Sequence, residues 1–234
     1  MSGRNPICVA LDTPDAAGAI TLVRALKPYI GYIKLGLEFF FANGRPSYEA
    51  VAQEGVPVFL DLKLHDIPNT VANGLRSLLG LSPPPAILNV HASGGFEMMK
   101  AAVEAVEGRA KLIAVTILTS LADDDIWATG FDHTRSARTH ARNLAELALK
   151  AGLDGVVCSP HEVETIRHAT SEKFLTVVPG IRPEDGALQD QKRVATPASA
   201  LAAGANILVI GRPITAAANP VQEVRNILAS LHVR

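Results

Sequence analysis

Short apolar runs alternate along the chain with longer amphipathic stretches that are rich in Ala and Leu. The runs are rich in β-branched residues and almost continuously apolar, which is typical of parallel strands covered on both faces. They predict eight strands, at residues 7–11, 32–35, 57–60, 87–90, 112–117, 155–157, 175–178 and 207–210. The amphipathic stretches predict eight helices, at residues 15–26, 38–53, 70–79, 95–106, 135–151, 160–169, 197–203 and 220–231.

The alternation of these elements predicts the fold class. Eight strand–helix units in 234 residues fit an α/β protein with a (β/α)8 TIM-barrel fold, in which residues 1–234 form a single domain. Capping residues that precede Pro, as in Ser159-Pro160 and Thr196-Pro197, mark helix starts. A doubly wound open sheet is the alternative, because periodicity alone does not distinguish a closed sheet from an open one.

Composition excludes several classes of protein. The chain is 48% hydrophobic and 19% charged, so it can bury a substantial core. Its net charge of −1 provides no electrostatic attraction to nucleic acid or to an anionic membrane, and we expect neither as a partner. No apolar run is long enough to span a bilayer, and residues 7–11 are too few for a signal-peptide core. Cys8 and Cys158 lie far apart in apolar runs, which indicates buried, reduced thiols in a cytoplasmic protein.

Charged residues interrupt the pattern where the first three predicted strands end. Asp61 and Lys63 follow the third strand two positions apart, so their side chains project from the same side of an extended chain. Lys34 lies at the end of the second strand, and Asp12 follows the first. The carboxyl ends of barrel strands meet at one mouth, where barrel enzymes hold their catalytic groups. We therefore expect these four side chains to converge.

An alternating Lys/Asp array of this kind has a definite chemical use. Each charged residue taken alone is more simply explained as a solvated loop residue. That explanation does not account for charged residues at the ends of three successive strands. Carboxylates beside the lysines keep the lysines cationic. The array can hold a proton donor next to a developing carbanion without a metal ion. No His/Cys/Asp/Glu cluster has convincing metal-ligand spacing, so we expect no metal.

The loops after the seventh and eighth strands form a second candidate site. Pro179-Gly180-Ile181-Arg182 follows one strand and Gly211-Arg212 follows the other. Glycine allows close approach of the backbone, and arginine supplies a forked donor for phosphate oxygens. These two loops are the usual phosphate site of the fold, and Gln191 between them offers an amide to the same ligand.

A long segment after the fifth strand, residues 120–134, contains the single Trp, Trp127, and is a candidate lid. Within it, Asp123, Asp124 and Asp125 are interpreted as a solvated loop face.

Taken together, the motifs resemble the orotidine 5′-phosphate decarboxylase family, which catalyses the last step of UMP biosynthesis. The resemblance covers essentially the whole chain, and its most specific signature is Asp-x-Lys-x-x-Asp-Ile-Pro-x-Thr within DLKLHDIPNT at residues 61–70. The remaining matching motifs, in chain order, are Ala10-Leu11-Asp12, Lys34-Leu35-Gly36, Leu118-Thr119-Ser120, residues 155–159, Pro179-Gly180-Ile181-Arg182, Asp190-Gln191 and Gly211-Arg212-Pro213.

The resemblance implies a homodimer of barrels that decarboxylates orotidine 5′-phosphate to UMP without a cofactor. Lys63 would be the general acid that protonates C6 of the pyrimidine, and Asp61 would lie beside the substrate carboxylate. Lys34 would order the array and contact the ribose. Asp66 and Thr70 would come from the partner subunit to complete the site.

The resemblance also implies the residues that bind the rest of the substrate. Asp12 would bind a ribose hydroxyl, and Thr119 and Ser120 would face the pyrimidine. Arg182 and Gln191 would belong to a closing loop. Gly211 and Arg212 would hold the phosphate, and Pro179 completes the substrate-binding set.

Two other functions remain open at this point. A sugar-phosphate decarboxylase or hexulose-phosphate synthase of the same superfamily also carries Asp-x-Lys-x-x-Asp but uses Mg²⁺; residues 65–70 and the pair Gln191 and Arg212 argue against it. A catalytically silent phosphate-binding barrel would have no reason to keep both lysines and both aspartates. His65 receives no chemical role, and His91 and His161 fit a structural hydrogen-bonding role at least as well as a catalytic one.

Overall fold

The computed structural model describes residues 4–182 and 195–231, which form a closed barrel of eight parallel strands. Each strand pairs with the next along the chain, and β8 pairs with β1 to close the sheet. The strands are β1 Ile7–Ala10, β2 Tyr32–Gly36, β3 Val58–Leu64, β4 Ile87–His91, β5 Lys111–Val115, β6 Gly155–Val157, β7 Leu175–Val178 and β8 Ile207–Ile210. The predicted (β/α)8 barrel is thus confirmed, and the open-sheet alternative is wrong.

Helices follow the strands on the outside of the barrel. They are α1 Ala16–Leu26, α2 Leu37–Ala52, α3 Pro68–Leu78, α4 Phe96–Val106, α5 Asp123–Ala128, α6 Ala137–Lys150, α7 Val163–Ala169, α8 Pro197–Ala202, α9 Arg212–Thr215 and α10 Pro220–Leu231. Side-chain caps begin several of them; for example, Ser136 accepts a hydrogen bond from the backbone N–H of Thr139 at 3.3 Å. None of the helices in the described ranges combines the length and the apolar character needed to cross a membrane.

Two differences from the prediction bear on function. The third strand was predicted to end at residue 60, but β3 continues to Leu64, so Asp61 and Lys63 belong to the strand itself. The helix after it was predicted from residue 70 and begins at Pro68, a residue that suits the first helical turn. The short helices α5 and α9 were not predicted: α9 has four residues, too few for a periodic pattern, and α5 lies in the acidic run that was interpreted as a loop.

Successive side chains along the strands point alternately into the barrel and toward the helices, which gives two apolar layers. Even-numbered positions of β1 and β2, such as Cys8, Ala10 and Tyr32, pack inside the barrel with Phe59 of β3. Their odd-numbered neighbours pack outward against the helices. Cys8 and Cys158 are both buried as thiols, as predicted. Lys34 and Asp61 lie two positions beyond Tyr32 and Phe59, so the same alternation turns them inward.

Candidate active site

A cavity of about 550 Å³ lies at the carboxyl ends of the strands. Side chains of the barrel interior, among them Ala10, Phe59 and Val209, form its floor. The polar and charged groups that line it come from several strand ends, and they are Asp12, Lys34, Glu38, Asp61, Lys63, Thr119, Ser120, Arg182, Arg212 and Thr215. Of the residues predicted to form the site, Pro179 and Gly211 line the cavity as well.

The four charges at the ends of β1, β2 and β3 form one continuous array. Lys34 Nζ lies 2.7 Å from Asp12 Oδ1 and 3.4 Å from Asp61 Oδ2. Lys63 Nζ lies 2.8 Å from Asp61 Oδ1. The order Asp12–Lys34–Asp61–Lys63 therefore alternates in sign, which confirms the predicted convergence.

The two groups at the centre of this array are buried, so each strongly affects the protonation of the other. Asp61 and Lys34 are buried, whereas Asp12 at one end is half exposed. Burial alone would raise the pKa of Asp61, but the charges of Lys34 and Lys63 and the hydrogen bonds of Lys63 and Asn89 outweigh it, and the pKa is lowered. Burial alone would lower the pKa of Lys34, but Asp61 and Asp12 reverse the effect and raise it. Both groups therefore stay charged near neutral pH.

The backbone is shaped to hold the array. A side chain at Gly36 would place its Cβ 2.9 Å from Asp12 Oδ1 and 3.0 Å from Lys34 Nζ, so glycine leaves the room that this ion pair needs. Lys63 has a φ of 51°, in the left-handed region that L side chains rarely adopt. The pairing of β3 with β4 shifts register between Leu60 and Leu64, so Lys63 lies in a bulge. Asp61 and Lys63 do converge as predicted, but through this bulge rather than through regular strand alternation.

Asn89 of β4 is a polar residue at this centre that the sequence analysis did not single out. It is buried, its Nδ2 donates to Asp61 Oδ1 at 2.7 Å, and its Oδ1 accepts from the backbone N–H of Lys63 at 2.9 Å. The available signal was a single amide within the apolar run Ile87-Leu88-Asn89-Val90, since a buried amide must find partners.

Two arginines from the loops after β7 and β8 also line the cavity. Arg182 follows β7 and is buried, and Arg212 begins α9 directly after β8. Burial, and then the positive charge of Arg212, lower the pKa of the Arg182 guanidinium. Two cations that face one cavity favour an anionic ligand. Gly180, with a φ of 76°, takes the backbone conformation that suits glycine in the loop before Arg182.

The candidate lid has a defined structure. Leu118, Thr119 and Ser120 line the cavity, and the chain then forms α5, whose Ile126 is buried. Asp123 Oδ1 accepts from the backbone N–H of Ala137 at 2.7 Å, which ties α5 to the start of α6. Asp125 Oδ2 accepts from the N–H of Ala122 at 2.8 Å. The interpretation of the acidic run as a solvated loop face is therefore wrong for these two aspartates, because they cap helix starts.

Some predicted site residues lie elsewhere in the described chain. Asp66 and Thr70 are exposed and do not line the cavity that holds Lys63. Asp66 Oδ1 accepts from the N–H of Ile67 at 2.6 Å, and residues 65–68 border a separate open depression with Ser93 and Gly94. Gln191 and its neighbour Asp190 lie outside the described residues, as does most of the loop after Arg182.

Two histidines flank the array without lining the cavity. The rings of His65 and His91 are stacked, with centroids 5.4 Å apart. Burial, followed by the nearby charges of His65 and Lys63, lowers the pKa of His91 and keeps it neutral at pH 7. Within residues 4–182 and 195–231, no group of three His, Cys, Asp or Glu side chains is arranged to hold a metal ion.

Comparison with known proteins gives consistent similarities. The profile of the orotidine 5′-phosphate decarboxylase / HUMPS family matches residues 5–227. Orotidine 5′-phosphate decarboxylase of Novosphingobium aromaticivorans is 50% identical over 97% of this chain and 99% of its own length. The protein of the same name from Rhodospirillum rubrum is 48% identical over 97% of this chain and 94% of its own. The crystal structure of orotidine 5′-phosphate decarboxylase from Lactobacillus acidophilus superposes with a TM-score of 0.84 at 34% identity, covering 98% of this chain and all of that chain.

Proposed function

The chain belongs to the orotidine 5′-phosphate decarboxylase / HUMPS family, and from this membership we infer that it is a carboxy-lyase that converts orotidine 5′-phosphate to UMP in pyrimidine biosynthesis. The observation that carries the assignment to this cavity is the Asp12–Lys34–Asp61–Lys63 array, with the pair Arg182 and Arg212 in the same cavity. The array matches a reaction that needs a proton donor, and the arginines match a substrate that carries a phosphate.

Lys63 is the general acid of the proposed mechanism. The bond between C6 and the carboxylate of the pyrimidine breaks, carbon dioxide leaves, and the electron pair stays on C6. The ammonium of Lys63 then gives its proton to C6. Asp61 holds this ammonium at 2.8 Å, so the proton donor is already oriented before the substrate arrives.

Asp61 contributes by repulsion of the substrate carboxylate. Two negative charges about 4 Å apart repel by roughly 4 kcal/mol at an effective dielectric constant near 20. Relief of all this repulsion in the transition state accounts for about three decades of rate. The rest comes from stabilisation of the carbanion and from phosphate binding energy that orients the substrate.

The remaining residues bind the parts of the substrate that do not react. Asp12 binds a ribose hydroxyl, Lys34 orders the array and contacts the ribose, and Thr119 and Ser120 face the pyrimidine; all four line the cavity. Gly211 and Arg212 hold the phosphate in the loop that follows β8. Arg182 and Gln191, which belong to the loop that follows β7, and Pro179 also bind the substrate.

The active unit is a homodimer in which Asp66 and Thr70 enter the partner's site. Their exposure and their position outside the cavity of their own chain support this arrangement. Ile67, between them, leaves two thirds of its surface exposed at 67%, as expected for an apolar residue that a second subunit covers. We further propose that residues 1–234 are one decarboxylase domain that works in the cytoplasm.

An absorbance assay with orotidine 5′-phosphate after prolonged dialysis against EDTA tests this function. We expect full activity, because the proposed proton donor is a lysine and the proposed repulsion needs no metal. Loss of activity that Mg²⁺ restores would move the chain to the sugar-phosphate branch of the superfamily. Binding of the nucleotide without turnover would instead indicate a phosphate-binding protein.

A further inference from the structure

The backbone at Lys63 has an unusual arrangement. Leu60 pairs with Leu88 and Leu64 pairs with Val90, so β3 advances by four residues over the stretch in which β4 advances by two. Lys63 lies within this bulge in the left-handed conformation. L side chains rarely adopt that conformation, because Cβ crowds the backbone there. Contacts next to the bulge that hold the backbone in this conformation therefore matter for the position of Lys63.

Asn89 is the residue of β4 that faces the bulge, between Leu88 and Val90. Its Oδ1 accepts the backbone N–H of Lys63 at 2.9 Å, which satisfies a donor that the bulge removes from the regular ladder. Since only the amide oxygen can accept this hydrogen bond, the orientation of the amide group is fixed. Its Nδ2 consequently points to Asp61 Oδ1, at 2.7 Å.

One amide therefore connects two parts of the charged array. Asp61 Oδ1 also accepts from Lys63 Nζ at 2.8 Å, so Asn89, Asp61 and Lys63 close a ring of hydrogen bonds. Asn89 is only 1% exposed, so water does not substitute for either bond. The hydrogen bond from Asn89 also helps to keep Asp61 ionised in its buried position.

We propose that Asn89 is a positioning residue of the decarboxylation, which holds the backbone of Lys63 and the carboxylate of Asp61 in the relative geometry that proton transfer to C6 needs. Asn89 does not line the cavity, so it acts through these two residues and not on the substrate. The inference rests on the proposed function of Lys63. It predicts that changes at position 89 affect turnover far more than substrate binding.

Asn89→Leu has nearly the same shape as the native residue and removes both hydrogen bonds. We expect kcat to fall by about 100-fold or more, in the range of a lost general acid, while KM for orotidine 5′-phosphate changes less than about threefold. The kcat of each variant is calculated per folded active site. Wild type and Lys63→Ala are measured in the same assay as the upper and lower references.

Asn89→Asp gives a second readout that does not depend on packing. A protonated Asp copies the donor and acceptor of Asn, whereas the ionised form places a second negative charge beside Asp61. The activity of this variant relative to wild type should therefore be highest at acidic pH and fall as the pH rises. The pH–activity profile of wild type serves as the reference, because it contains any effect of the other titratable groups near Asn89. These groups are Lys34, Asp61, Lys63, His65 and His91.

Asn206 provides the matched control. Its Oδ1 also accepts from the backbone N–H of a neighbouring strand, that of Thr176 at 2.8 Å, but at the opposite end of the barrel. Asn206→Leu should lower the melting temperature and leave kcat of the folded enzyme unchanged.

The outcomes separate the inference from the proposed function. If wild type does not convert orotidine 5′-phosphate, the proposed function fails. If wild type is active and Asn89→Leu matches it per folded site, the positioning role is overturned. If Asn89→Leu does not fold, Asn89→Asp decides: a ratio to wild type that falls with rising pH supports the role, and a pH-independent ratio overturns it.

Discussion

At the scale of single residues, the proposed chemistry depends on how tightly Lys63 is held before the substrate binds. Its ammonium contacts Asp61, its backbone contacts Asn89, and both partners are buried. A donor fixed in this way loses little freedom when the reaction begins, so its orientation contributes directly to the rate.

Lys63→Ala removes the proposed proton donor at a position that lies at the barrel mouth and outside the apolar core. We expect kcat to fall by at least about 100-fold while the melting temperature stays close to that of wild type. Lys100→Ala, an exposed lysine on α4, is the control and should keep full activity. A Lys63→Ala enzyme that keeps more than about one tenth of wild-type kcat would mean that another group supplies the proton.

Arg212→Ala tests the proposed phosphate site of the cavity. The variant should lose affinity for UMP much more than for uridine, since only the nucleotide carries the phosphate that a guanidinium would bind. Isothermal titration with both ligands measures the difference, and Arg109→Ala, exposed and far from the cavity, should change neither. Equal losses for UMP and uridine would contradict a phosphate site at Arg212.

At the scale of elements, the segment after β5 carries a small apolar cluster of its own. The buried side chains Ile117, Ile126, Ala137 and Ala141 pack together there, with Trp127 and Phe131 at the edge. This cluster anchors α5 to α6 and so fixes the chain that continues from Thr119 and Ser120 at the cavity.

Ile126→Ala should destabilise the protein by about 2–5 kcal/mol, because it empties the centre of this cluster. Thermal unfolding measures the effect as a loss of several degrees in Tm. Leu149→Ala on α6 is the matched control, since Leu149 is 40% exposed and leucine and alanine are both good helix formers. Equal losses of Tm in the two variants would show that α5 does not contribute a packed core.

The elements also show which features the sequence could predict. The eight strands were predictable because buried parallel strands are short and apolar on both faces, and the residues 16–26 and 220–231 have clear helical periodicity. Convergence of Lys34 and Asp61 followed from topology, since strand ends of a barrel share one mouth. The bulge at Lys63 was not predictable, because it depends on the register between β3 and β4. The role of Asn89 was missed for the same reason.

At the scale of the whole molecule, the cavity of one chain lacks two residues that the family resemblance assigns to the site. Asp66 and Thr70 lie on an exposed stretch outside the cavity, next to the exposed Ile67. Two subunits that exchange these residues would each complete the other's site, an arrangement that a two-fold axis produces twice.

Mixed dimers test this exchange. Lys63→Ala and Asp66→Ala homodimers should each be nearly inactive, and unfolding them together and refolding the mixture should restore about a quarter of wild-type activity. Half of the randomly paired dimers are mixed, and each mixed dimer has one site with an intact Lys63 and an intact Asp66. A site assembled within one chain would recover nothing. No recovery from demonstrably mixed dimers would therefore exclude the shared site and leave the decarboxylase assignment unaffected.

The charges of the described residues that line the cavity do not sum to zero. Those of Asp12, Lys34, Asp61 and Lys63 cancel, and Arg182 and Arg212 exceed Glu38 by one positive charge. An approaching anion is therefore attracted to the cavity, and the attraction weakens as salt screens it. If the arginines hold the phosphate as proposed, these charges favour an encounter in which the phosphate enters toward Arg182 and Arg212, before any hydrogen bond to the base can form.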